Sequence, residues 1–178
     1  MNYSQLTQEQ RYHISALRKA GNSQISIPHI KRLRIHSRLP IMIPERITDE
    51  LIAWFAHPHR QNILVLHCNH PNELDKHTEQ AMKKLHQAGI TLLNQSVLLK
   101  GVNNQVATLT QLSEKLFSMR VLPYYLHLLD KVAGAAHFDL SLEEALALYR
   151  ELQTQLPGFL LPKLTREEAG KKHKTLLI

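Results

Sequence analysis

The feature that most limits what this 178-residue chain can fold into is an alternation of short apolar runs with amphipathic stretches, beginning at Ile27. Ile30–Ile35 reads as a strand. Thr48 caps a helix through Leu51, Ile52 and Phe55 that Pro58 stops. Asn62–Leu66 has the continuous apolar character of a buried strand. Glu73 to Ala88 reads as a helix with Ala81, Met82, Leu85 and Ala88 on one side and Gly89 as its stop. Ile90–Leu93 is the next strand. Val106, Leu109, Leu112, Leu116 and Phe117 mark a helix, and Val121–Leu126 a strand. The string from Ser141 to Glu144 is a capping box, opening a helix with Leu142, Ala145, Tyr149 and Leu152 on one face. Phe159–Leu161 makes a last strand before a basic, polar tail. Strands separated by helices pair in parallel through right-handed crossovers. The pattern therefore predicts an α/β fold, either part of a (β/α) barrel or an open sheet.

Composition permits this. Hydrophobic residues make up 43% and aromatics only 6%, so aliphatic side chains fill most of the core. No apolar run is long enough for a membrane-spanning helix. The N-terminus lacks a stretch of signal-peptide character. The single Cys68 excludes an internal disulfide and fits a reducing cytoplasm. The formal charge of +7 favours anionic partners, although a basic surface on a soluble protein accounts for it equally well. Two basic clusters stand out: Lys31, Arg32, Arg34 and Arg38, then Lys171, Lys172, His173 and Lys174.

Polar residues collect where the strands end. The first runs into His36-Ser37-Arg38, the second into His67-Cys68-Asn69-His70, the third into Asn94-Gln95-Ser96, and the fourth into Tyr124-Tyr125 and on to Asp130. In α/β barrels the active site lies at the C-terminal ends of the strands. Asn, Asp and Ser also favour turns for local reasons, but four successive strands delivering such groups point to a converging polar site. His67 and His70 lack the companions of a zinc site, so no protein-only metal site is expected. Neither a phosphate-binding glycine loop nor a GxSxG elbow is present.

The strings IPHIKRLRIHSRLP, HCNHPNE, AGITLLNQSVLLKGVNN, VLPYYLHLLDKVAGAAHF and PKLTREEAGKKHKTL resemble the lysine 2,3-aminomutase family over residues 27–178. The resembling branch makes β-lysine for modification of elongation factor P. The resemblance implies a partial (β/α) barrel of the radical S-adenosylmethionine type, pyridoxal phosphate and a 4Fe–4S cluster as cofactors, and lysine as substrate. It places Lys174 at the pyridoxal-phosphate lysine, and Asp130 and Glu167 at acidic positions for the substrate's side-chain ammonium. It places His67 and Gln95 at S-adenosylmethionine contacts. A lysine amine attacks an aldehyde only as the free base, and the cations Lys171 and Lys172 would favour that form.

Two departures qualify the resemblance. The family's CxxxCxxC cluster motif is absent, so the expectation is a truncated aminomutase-like chain, inactive alone, unless a separate chain supplies the cluster. Residues 1–24 resemble instead the opening of an insertion-sequence transposase, with Thr7, Gln10, Tyr12, Ile14 and Leu17 outlining one short helix. The expected organisation is thus a transposase-like helix and junction over 1–26, then the barrel part over 27–178. The alternative is a DNA-binding or regulatory remnant of a transposase fusion, although no recognition helix follows and nucleic acid is not the favoured partner. A partial barrel leaves strand edges exposed, and self-association is expected.

Overall fold

The computed structural model describes residues 31–130, 133–168, 170–171 and 173–178. The helix and junction expected over 1–26 lie outside the described residues, and with them the transposase resemblance. From Arg32 onward the elements run β1 (Arg32–Ser37), α1 (Leu39–Met42), α2 (Asp49–Phe55), β2 (Gln61–His67), α3 (Lys76–Gln87), β3 (Thr91–Val97), α4 (Val106–Ser118), β4 (Leu122–His127), α5 (Leu142–Gln155), β5 (Lys163–Arg166) and β6 (Thr175–Leu176). The sheet order is sequential, β1-β2-β3-β4-β5-β6, with parallel pairing from β1 to β5.

Sequential order has a consequence. Right-handed crossovers that always step the same way place every helix on one side of the sheet. The packing agrees. Ile35, Leu64 and Leu92 are neighbours in register, as are Leu126 and Leu164. The first set packs with Phe55, Met82, Leu85, Leu112 and Leu116, the second with Leu109, Ala145, Tyr149 and Leu152. Burying each such side chain contributes about 1.5–3 kcal/mol before entropy is charged against it. The opposite face carries His36, His67, Gln95, Tyr125, His127 and Thr165, which in a closed barrel is the interior. The strand order does not close, so the fold is part of such a barrel.

Helix starts follow the capping chemistry. Thr48 Oγ1 accepts from the Leu51 amide at the start of α2, and Ser141 from the Glu144 amide at the start of α5. The helix expected from Glu73 starts later. Asp75 and Thr78 form a reciprocal cap for α3. Glu73 ends a 3-10 turn, Pro71–Glu73, where its carboxylate accepts from the Asn69 and His70 amides at 2.7 and 2.8 Å.

Two strand expectations and one for the tail need correction. The third strand extends through Asn94, Gln95 and Ser96 to Val97, because its ladder with β4 continues to Val97↔His127. The fifth strand is Lys163–Arg166, not Phe159–Leu161. A turn closed by Leu160 N to Pro157 O at 2.8 Å occupies the expected place, and the strand starts after Pro162. The tail is not merely polar: Thr175–Leu176 returns antiparallel to β5, with Thr165↔Leu176 and Arg166↔Thr175 in register.

Candidate functional site

The tail's return forms the site. It brings Lys174 back against the end of β4, where Nζ lies 3.4 Å from His127 Nε2 and 5.6 Å from the centre of the Tyr125 ring. The Lys174 ammonium also pairs with the Glu167 carboxylate. The Lys174 side chain is 28% exposed and that of Glu167 57%, so the pair sits at the rim of the face. Glu167 is held below the usual carboxylate range, first by its hydrogen bond from Lys174 and then by the charges of Lys174 and His127. The neighbours of Lys174 therefore differ from those expected. Lys171 is engaged with Glu168 at 2.5 Å, and an acid and an imidazole meet the Lys174 amine.

A second group lies on β1, β2 and β3. The His36 and His67 rings meet edge to face at 5.9 Å. His67, Gln95 and Tyr125 occupy adjacent register positions on β2, β3 and β4. His67 Nε2 and Gln95 Oε1 are buried without a hydrogen-bond partner among the described residues. Buried polar atoms are ordinarily paired, so two orphans side by side mark a place suited to a polar ligand. Burial lowers the pKa of His67, helped by the charges of Arg38 and Lys174. His36 is lowered to about 4 by burial, then by Arg34, His67 and Lys174. Gln95 acts on His36 in the opposite sense, although its Oε1 closes no hydrogen bond of ordinary geometry.

The loops beyond β2 and β3 are fixed by amides. Asn94 bonds the backbone of Cys68 through both ends of its side chain, at 3.0 Å each. Asn69 Oδ1 accepts from Val97 N at 2.9 Å. Asn103 donates to Asn69 O and Val97 O at 2.8 and 2.9 Å and accepts from Leu99 N at 2.7 Å. Arg38 joins the β1 loop to Glu73 at 2.6 Å.

Of the residues expected from sequence, Lys174 and Glu167 come together, and His67 and Gln95 come together. Asp130 is exposed past the end of β4 and makes no ion pair among the described residues. Sequence reasoning placed Asn69 at a strand end without a role, and overlooked His127, Thr165 and Asn103. The alternation of side chains places His127 on the face of Tyr125, which would have identified it. Among the described residues no group of three His, Cys, Asp or Glu side chains is placed to hold a metal ion.

No family model matches the chain. It is 56% identical over 151 residues to the L-lysine 2,3-aminomutase of Haemophilus influenzae, covering 85% of this chain and 45% of that protein. It is 58% identical over 152 residues to that of Escherichia coli K12, covering 85% and 44%. Over this region the chain is lysine 2,3-aminomutase-like in sequence. The match falls on the C-terminal part of those relatives, so the chain spans less than half their length. The lysine 2,3-aminomutase of Clostridium subterminale is 37% identical over 151 residues. A domain of the pyruvate-formate lyase-activating enzyme of Bacteroides vulgatus superimposes with a TM-score of 0.50 at 15% identity, covering 89% of this chain and 91% of that one. That likeness concerns the fold alone.

Proposed function

We propose that residues 27–178 are the lysine-recognising, pyridoxal-phosphate-binding part of a lysine 2,3-aminomutase barrel. The family reaction moves the amino group of lysine from its α to its β carbon. One observation carries this reading: β6 folds the tail back so that Lys174 reaches the strand-end face beside His127 and Glu167. An ordinary solvated tail lysine has no such setting.

The residues fit pyridoxal phosphate at one point, a partly exposed primary amine held at the rim of a polar face. When bound, the cofactor supplies an aldehyde that captures amines and an electron-withdrawing ring. Lys174 is the residue that would hold it. Glu167 keeps the Lys174 ammonium in place until another cation competes, and the side-chain ammonium of lysine is such a cation. Asp130 is the proposed second acid for that ammonium. The unpaired atoms of His67 and Gln95 suit the polar edges of S-adenosylmethionine.

The residues do not fit a 4Fe–4S cluster. Such clusters are held by several thiolates, and this chain has one cysteine. Cys68 is buried and its thiol is pushed up to about 12 by burial and by the charge of Glu73. The chain is therefore proposed to be inactive unless a partner supplies the cluster. Its product branch is proposed to be β-lysine for elongation factor P, in a reducing cytoplasm. Among the described residues no helix is long and apolar enough to cross a membrane.

The test uses pyridoxal phosphate and borohydride. Reduction should fix the label on Lys174 in preference to the other lysines, as read by peptide mass spectrometry, and Lys174→Ala should abolish that specific uptake. Label spread evenly over surface lysines, or uptake unchanged in Lys174→Ala, would defeat the reading.

A further inference from the structure

His127 is 8% exposed and ends β4, and Thr165 lies fully buried beside it on β5. His127 enters the reading of Lys174 only by its position, and Thr165 not at all. His127 Nδ1 and Thr165 Oγ1 are 3.3 Å apart, and His127 Nε2 is 3.4 Å from Lys174 Nζ. A protonated lysine amine has only hydrogens to give. Nε2 must therefore present its lone pair, which places the ring proton on Nδ1, where Thr165 Oγ1 accepts it. Two hydrogen bonds in series thus run from the amine at the rim into the buried sheet. Thr165 is itself fixed, since its carbonyl accepts from Leu128 N at 2.9 Å. The edge-on Tyr125 ring, 5.6 Å away, confines the imidazole from its own strand.

We propose that His127 is a positioning residue for Lys174: Thr165 fixes the imidazole tautomer, and the lone pair on Nε2 holds the amine at the strand-end face. The inference rests on the reading of Lys174 as the pyridoxal-phosphate lysine. Glu167 is to serve the substrate ammonium, and a lysine held only by Glu167 would lose its place when substrate arrived. His127 provides a second holder, a neutral acceptor rather than a counter-ion. The imidazole is suited to this because burial, and next the charge of Lys174, lower its pKa to about 4, so that it stays neutral and accepting at neutral pH.

Two measurements on the full chain test it. The nitrogen chemical shifts of His127 report which ring nitrogen bears the proton. The Nδ1–H form is expected at neutral pH, and Thr165→Val, which keeps the shape and removes the acceptor, should shift the population away from it. An Nε2–H form in the unaltered chain would overturn the proposal. In the second measurement, Thr165→Val and His127→Leu should each weaken pyridoxal phosphate uptake about tenfold, while His127→Gln, which retains an acceptor, should recover most of it. Unchanged uptake in both weakened variants would overturn it. Where His127→Leu fails to give the native circular dichroism, Thr165→Val decides. Uptake that survives Lys174→Ala would defeat the parent reading instead, and the tautomer result still judges the His127 contact.

Discussion

Cys68 has no exposed surface, and its Sγ donates toward the His70 carbonyl at 3.4 Å. It behaves as a small buried hydrophobe. His127 and His36 show the same effect of burial with opposite charge sense. Both titrate ordinarily near 6.5, and both are lowered to about 4 in the fold. Between those values an unfolded chain takes up protons that the folded chain refuses. Stability therefore rises with pH from about 4 to 6.5 and levels off above. The charged and titratable groups facing His127 are Lys174, Glu167, His67 and His36. For buried His127 alone the loss on acidifying from pH 7 to 4 is on the order of 3 kcal/mol, while the exposed His36 adds much less than its shift suggests. Urea denaturation at a series of pH values should show this slope, and His127→Gln should flatten it. An unchanged slope in that variant would assign the acid sensitivity elsewhere.

Between the residue and the fold, the ends of β2 and β3 depend on Asn103. It is fully buried and serves Leu99 N, Asn69 O and Val97 O together. Asn103→Ala would leave these backbone groups without that partner. A loss of about 3 kcal/mol is expected in chemical denaturation, well above a typical surface substitution. A cost under about 1 kcal/mol would show that water replaces the amide without penalty. The strands and helices were legible because each buries one face, and burial writes a period into the sequence. Asn62–Leu66 and Val121–Leu126 lie within one residue of β2 and β4 at each end. Elements held by specific hydrogen bonds leave no such period. Gln95 reads as a loop residue, yet a ladder keeps it in β3. Glu73 reads as helix but caps a turn. The two-residue β6 is too short to carry any pattern, so the setting of Lys174 against His127 came only from the tertiary structure. The roles proposed for Lys174, Glu167, His67 and Gln95 come from resemblance alone, while Thr165 was hidden because a buried threonine in a strand looks like any other β-branched core residue.

At the scale of the molecule, an unclosed sheet exposes what a closed barrel would cover. β1 ends the strand order, and among the described residues no strand pairs its outer edge. Large apolar side chains are exposed in the segment that follows it: Leu39 at 45%, Met42 at 62%, Ile43 at 43% and Trp54 at 42%. An open parallel edge offers unpaired backbone groups, and an adjacent apolar patch adds a non-directional attraction. The two act together, since association through either one raises the local concentration for the other. The net charge of +7 opposes association, but only over about 8–10 Å at physiological salt. The chain is therefore expected to self-associate, more so as salt is raised. Sedimentation velocity over a range of concentrations should show species larger than the monomer, and Met42→Lys combined with Ile43→Lys should shift the distribution toward monomer without changing the circular dichroism. A monodisperse monomer at every concentration and salt would mean that the edge is covered from within the chain. A distribution unmoved by the two lysines would place the association on β1 itself or on the other exposed pair, Phe117 and Phe159, whose rings meet at 5.3 Å on the helix side of the sheet.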